Sequence, residues 1–163
     1  ISSQAFDGPL SFSSFEGLTG ADATTDAFLR LTPDRYRRFL TMAKDEHIQI
    51  LRSWGGGLLE TDTFYDLCDE MGILITHDFM YACGCYPQDE PFLAECRREA
   101  EYQVKRLRRH RCIALWCGNN EDYMLAESVG LAGPGVPADK FEARALYEGL
   151  QAGAEVKKAE GIR

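Results

Sequence analysis

Apolar and polar positions fall into a regular alternation of helical and strand-like stretches from Thr32 onward. Thr32-Pro33-Asp34-Arg35 reads as a helix start, with Thr as the N-cap and Pro at the first helical position, where a missing N–H costs nothing. Tyr36, Phe39, Leu40 and Ala43 follow at helical spacing and predict one apolar stripe, with the helix ending near Glu46 or His47. The run from Ile48 to Trp54 predicts a strand stopped by Gly55-Gly56-Gly57. A second helix is predicted from Thr61 or Asp62 to Glu70, with Phe64, Leu67 and Cys68 on one face and Gly72 as its stop. Ile73 to Phe79 predicts a strand with a continuous apolar start, as expected when both faces are buried. A loop over 81–91 precedes a long helix to about Arg109, and Cys112 to Cys117 predicts another buried strand, leading into Gly118-Asn119-Asn120-Glu121. After a Gly/Pro-rich loop at 130–137, Asp139 is expected to open a last helix reaching about Glu160.

Residues 1–30 lack this regularity and form an irregular N-terminal region, with one short candidate strand at 10–15. The remainder, 31–163, predicts an α/β fold of parallel units, because apolar strands alternate with helices. An open doubly wound sheet and a half barrel fit the order equally well. The glycine-rich phosphate loops of doubly wound sheets are missing, since Gly55-Gly56-Gly57 has neither required spacing.

Composition narrows the picture. The chain has 163 residues and a net charge of -8, which argues against nucleic acid or an anionic membrane as partner. No apolar run approaches the roughly 18 residues of a bilayer span. The basic stretch Lys105 to Arg111 closes a helix, where cations complement the dipole, and is expected to be a solvated face. Ile1-Ser2-Ser3-Gln4 lacks the features of a signal peptide, and the chain reads as a piece of something longer. Six cysteines have no C-x-x-C pair, and His110 is not set in a ligand pattern, so a zinc site is not expected. Reduced thiols, with Cys112 and Cys117 as small core side chains, are the expectation, and with them a cytoplasmic setting.

Ligands of parallel β/α folds bind beyond the carboxyl ends of the strands. Here those ends carry Arg52 and Trp54, then His77 and Asp78, then Asn119, Asn120 and Glu121. An indole can stack on a pyranose face while amides and carboxylates bond its hydroxyls, so the set suits a sugar. Each residue alone could equally be a helix cap or a supporting partner. Glu121, just past a buried strand, meets the positional requirement for a carboxyl that protonates a departing glycosidic oxygen.

Four ordered segments resemble glycoside hydrolase family 2, most closely its β-mannosidase branch. They are Arg52-Ser53-Trp54-Gly55-Gly56-Gly57, Phe64-Tyr65-Asp66-Leu67-Cys68-Asp69-Glu70-Met71-Gly72-Ile73-Leu74, Asp78-Phe79-Met80-Tyr81-Ala82-Cys83 with Tyr86-Pro87, and Ala114-Leu115-Trp116-Cys117-Gly118-Asn119-Asn120-Glu121. The resemblance implies roughly the first four units of a TIM (β/α)8 barrel and retaining hydrolysis of a β-linked glycoside through a glycosyl-enzyme intermediate, without metal or cofactor. It implies Glu121 as acid/base, Asn120 as the amide on the sugar 2-hydroxyl, and Trp54 and Asp78 as walls of the terminal-sugar subsite. Arg52 and Asn119 are further candidate binding residues. β-Galactosidase, β-glucuronidase or exo-glucosaminidase activity remains open within the family, as does a lysosomal or periplasmic site for a full-length protein.

Three departures stand out. The family's nucleophilic Glu belongs to a seventh strand, and no Glu after 121 is placed at a strand end here, so the nucleophile is not identified in this chain. Gly17-Leu18-Thr19-Gly20 stands where a Gly-x-Asn-Trp segment is usual, and Thr76-His77 stands in place of Trp-Gln. The family's N-terminal sandwich domains and the rest of the barrel are missing partners. A non-catalytic sugar-binding remnant, or an assembly partner of a half barrel, is the competing expectation.

Overall fold

The computed structural model describes residues 31–151. The candidate strand at 10–15, the Gly17–Gly20 stretch and residues 152–163 lie outside the described residues.

The described chain is an α/β unit built on a three-stranded parallel sheet. Helix α1 (Pro33–Asp45) starts as expected, with the Thr32 hydroxyl accepting from the Arg35 N–H. Strand β1 (Ile50–Ser53) follows, then helix α2 (Asp62–Met71), strand β2 (Leu74–Asp78), helix α3 (Glu90–Leu107) and strand β3 (Ile113–Cys117). Helix α4 (Asp122–Ser128), a 3-10 turn (Ala138–Lys140) and helix α5 (Arg144–Gln151) complete it. Gly72 ends α2 in the left-handed conformation at φ 72°, which an L side chain rarely adopts. Asp89 caps α3 by accepting from the Phe92 N–H, with Pro91 just inside the start.

The sheet order is β1-β2-β3, the order along the chain, with both pairs parallel. The registers pair Ser53 with His77 and Asp78 with Cys117, so the three carboxyl ends finish side by side. One extra residue of β3 lies opposite the Ile75–Thr76 step, a bulge that re-aims the last residues of the strand. Past the strands, an isolated parallel bridge joins Ala82 to Asn120.

Two apolar clusters pack against the sheet. One gathers Tyr36, Leu40, Tyr65, Cys68, Ile73, Ile75 and Leu107. The other gathers Phe79, Tyr81, Leu93, Val104, Phe141, Leu146 and Tyr147, and Trp116 packs against both.

Four sequence expectations are corrected. Phe39 is exposed rather than part of the α1 stripe, and the Arg35 guanidinium lies over its ring. Strand β3 is not buried: Leu115 is 47% exposed and Cys117 half-buried, since no described element covers that face. The stretch 105–111 is only partly a solvated face. Arg106 is half-buried, donates to the Glu60 carbonyl and stacks on Tyr65, and His110 is buried. Asp139 sits in the 3-10 turn, and the helix begins at Arg144.

Candidate functional site

The carboxyl ends of the three strands bring Arg52, Asp78 and Asn120 into one hydrogen-bonded chain. Arg52 Nη2 donates to Asp78 Oδ2 at 2.6 Å and to Asn120 Oδ1 at 2.7 Å. Arg52 Nε reaches Asp78 Oδ1 at 3.2 Å, completing a two-point grip on the carboxylate. The Gly55 N–H adds a bond to Asp78 Oδ2 at 3.2 Å. Asp78 is enclosed and Arg52 mostly so, which makes the pairing a condition for burying either charge. Burial opposes the charged form of Arg52, yet the bond and charge of Asp78 hold its pKa above the ordinary value.

Gly55 is forced by its surroundings. A Cβ there would lie 2.4 Å from the Phe79 carbonyl oxygen. Gly56 makes room in a different way, since a Cβ would run into the Trp54 ring. The glycine run at the end of β1 therefore lets the backbone approach β2 and lays the half-buried indole of Trp54 over the turn.

Two loops meet beyond β2 and β3. The Asn120 N–H donates to the Tyr81 carbonyl and the Cys83 N–H to the Asn120 carbonyl, both at 2.9 Å. Cys83 and Glu121 both adopt positive φ, 50° and 60°, in these facing loops. Such backbone is costly for residues with a Cβ and persists where the surroundings hold it. Glu121 occupies the N-cap position of α4 but makes no capping bond with its side chain. The helix-cap alternative for Glu121 is thus not realised, and its exposed carboxylate turns instead toward the Cys83 Sγ, 3.6 Å from Oε2. The same sulfur accepts from Asn120 Nδ2 at 3.5 Å. Asn119, half-buried, precedes this pair in the turn.

His77 is fully buried and does not face the site. Its Nδ1 lies 2.9 Å from the Asp78 carbonyl and its Nε2 2.9 Å from the Tyr65 hydroxyl. A carbonyl can only accept, so Nδ1 carries the proton and Nε2 accepts from Tyr65. Burial lowers the His77 pKa to about 4.

Sequence reasoning missed two residues that shape the site. Cys83 bridges Asn120 and Glu121, and Asp122, fully buried beside Glu121, accepts the Gly84 N–H at 2.8 Å. The signal was a Cys-Gly-Cys loop after one strand facing a Gly-Asn-Asn-Glu turn after the next. Only the register says that they touch.

Elsewhere, Asp69, His110 and Cys112 place potential ligand atoms within 4.8 Å of one another. Asp69 is already spent: Oδ1 accepts the Cys112 N–H at 2.7 Å and Oδ2 the His110 Nδ1–H at 2.8 Å. Burial pushes the Cys112 thiol up to about 12. The trio is a clasp between α2 and the start of β3.

No family model matches the chain. β-Mannosidase B of Emericella nidulans is 42% identical over 127 residues, covering 74% of this chain and 15% of the relative. β-Mannosidase B of Aspergillus clavatus is 48% identical over 101 residues, covering 62% and 12%. The chain therefore spans about 15% of the length of the curated relatives it matches. Among solved structures, a β-D-mannosidase from Dictyoglomus thermophilum matches with TM-score 0.68 and 42% identity, over 79% of this chain and 15% of that one. A Bacteroides uniformis β-glucuronidase matches at TM-score 0.64 and 17% identity, over 82% of this chain and 15% of that one, a likeness of fold alone. Over its matched span the chain is similar to β-mannosidases, which supports a β-glycosidase-like protein.

Proposed function

We propose that this chain supplies the acid/base part of a retaining β-mannosidase site on the first units of a (β/α) barrel, with Glu121 as the proton-transferring carboxyl. The observation that carries the reading is the assembly of an indole, an Arg-bound carboxylate, an amide and the uncapped Glu121 at three adjacent strand ends. Glu121 would protonate the departing glycosidic oxygen and then take a proton from the incoming water. Asn120 would bond the sugar hydroxyl next to the anomeric carbon through Nδ2, its Oδ1 being held by Arg52. Asp78 and Trp54 would bound the terminal-sugar subsite, with Arg52 fixing Asp78 and Asn119 at the rim. The remaining chemistry needs a second carboxylate, about 5–5.5 Å from the first in retaining enzymes. Asp78 is committed to Arg52, so the nucleophile is expected from a further segment of barrel.

The substrate class is a β-linked mannoside or short oligosaccharide, with no nucleic-acid or membrane partner, and the setting cytoplasmic. Among the described residues no helix is long and apolar enough to cross a membrane. The test uses a protein of the relatives' length containing this chain, assayed on aryl β-mannosides. Glu121→Gln is expected to lose about 10²–10⁴-fold on poor leaving groups and far less on good ones, because only the former need proton donation. Equal activity of the variant on poor leaving groups would refute the assignment. An aryl glycoside panel then separates mannose from galactose, glucuronate and glucosamine.

The second reading is a non-catalytic sugar-binding remnant or a half-barrel assembly partner. It is favoured by the commitment of Asp78 to Arg52, which leaves Glu121 without a nucleophilic partner at the described strand ends. Binding of mannose to the 163-residue chain without turnover of an activated aryl mannoside would support it.

A further inference from the structure

The Cys83 thiol lies between the two residues assigned to chemistry and sugar binding. Its Sγ accepts from Asn120 Nδ2 at 3.5 Å and its S–H points to Glu121 Oε2 at 3.6 Å. Neither contact is incidental to the backbone, because both loops are locked where they meet. Cys83 N–H donates to the Asn120 carbonyl, and Ala82 pairs with Asn120 as in a parallel ladder. The next residue is gripped on both sides: Gly84 N–H donates to Asp122 Oδ1 at 2.8 Å, and the Tyr147 hydroxyl donates to the Gly84 carbonyl at 2.9 Å. A side chain at 84 would meet the Tyr86 ring at 2.9 Å, so the grip depends on glycine there. Two helices thus hold a loop that sets the Cys83 sulfur between an amide and a carboxylate.

We propose that Cys83 is a positioning residue whose thiol joins the Asn120 amide to the Glu121 carboxylate and sets the orientation of both toward the substrate. Asn120 has its oxygen fixed by Arg52 and its nitrogen by Cys83, which leaves one amide hydrogen to face a sugar hydroxyl. Glu121, with no capping bond, has the thiol as a donor on Oε2, which leaves Oε1 to meet the glycosidic oxygen. The groups facing the thiol are Glu121 and Asp122 from the start of α4 and Asn120 from the turn before it. Burial and the two carboxylates raise the Cys83 pKa, while the Asn120 bond lowers it. The thiol therefore stays protonated and donates.

The functional meaning rests on the roles given to Glu121 and Asn120, but the contact is tested without turnover, so either can fail alone. The 163-residue chain is treated with iodoacetamide from pH 7 to 10, and alkylation at each cysteine is followed by peptide mass spectrometry. Cys85, exposed in the same loop, is the internal control, and buried Cys68, Cys96 and Cys112 report that each variant is folded. Glu121→Gln is expected to speed Cys83 alkylation at pH 8 about threefold, and Asn120→Ala to slow it about threefold, each a displacement of about half a pH unit. Cys85 is expected to stay unchanged. Parallel changes at both cysteines, or none at Cys83, would overturn the proposal. As a second readout, hydrogen exchange of the Asn120 side-chain amide is expected to quicken in Cys83→Ala and to be restored in Cys83→Ser. Equal exchange in the two variants would overturn it as well.

Discussion

At the scale of single residues, charge and burial decide what each side chain can do. Asp78 has no contact with solvent worth the name and holds its charge because Arg52 and the Gly55 N–H surround it. Arg52→Ala leaves that carboxylate buried alone and is expected to cost about 3–5 kcal/mol, read as a fall in the urea midpoint. Asp122 presents the opposite case. Burial raises its pKa, and Oδ2 has no hydrogen-bond partner although Oδ1 is used. Its folded-state pKa exceeds the unfolded one, so its contribution to stability is full at low pH and lost as pH rises through the folded value. Asp122→Asn keeps an acceptor for Gly84 and sheds the buried charge, so it is expected to raise thermal stability at pH 7. His77 shifts the other way, from 6.5 to about 4, because its imidazolium is excluded from the interior. The unfolded chain then binds more protons between those values, and stability falls as pH drops from about 6.5 to 4, by about 3 kcal/mol in full. Urea midpoints measured at pH 7 and 4.5 are expected to show that loss, and His77→Gln to shrink it.

At the scale of elements, what was legible in the sequence followed from local rules. Thr32-Pro33 starts a helix where it stands and Gly72 stops one, because capping involves neighbours in the chain. Gly72→Ala puts a Cβ at φ 72° and is expected to lower stability by about 1 kcal/mol in thermal unfolding. The strand-end residues were legible too, since parallel β/α order places Arg52, Asp78 and Asn120 at one end of the sheet. Their mutual bonds were not, for pattern gives proximity and not geometry. Nor could pattern separate Phe39 from Tyr36: both sit on the apolar stripe, but α2 reaches only Tyr36, whose hydroxyl donates to Glu60 at 2.5 Å. Arg106 and His110 were read as part of a solvated run for a related reason. A basic run looks solvated until Tyr65 and Asp69 from another helix arrive beside it.

At the scale of the whole molecule, the described sheet is a ladder of three strands with β1 and β3 at its edges. Leu115 on β3 is 47% exposed, and an open parallel edge with apolar side chains invites another strand. The 163-residue chain is expected to self-associate in sedimentation experiments, and Leu115→Lys to reduce the associated fraction. The backbone at Glu121 is left-handed. Asn and Gly tolerate that conformation better than Glu, so the residue at 121 is held against the chain's own conformational preference. Asn or Gly at 121 would relieve that strain. On the role proposed for Glu121, its carboxyl and its backbone pull in opposite directions, and Glu121→Asn is expected to gain stability while losing the proton donor.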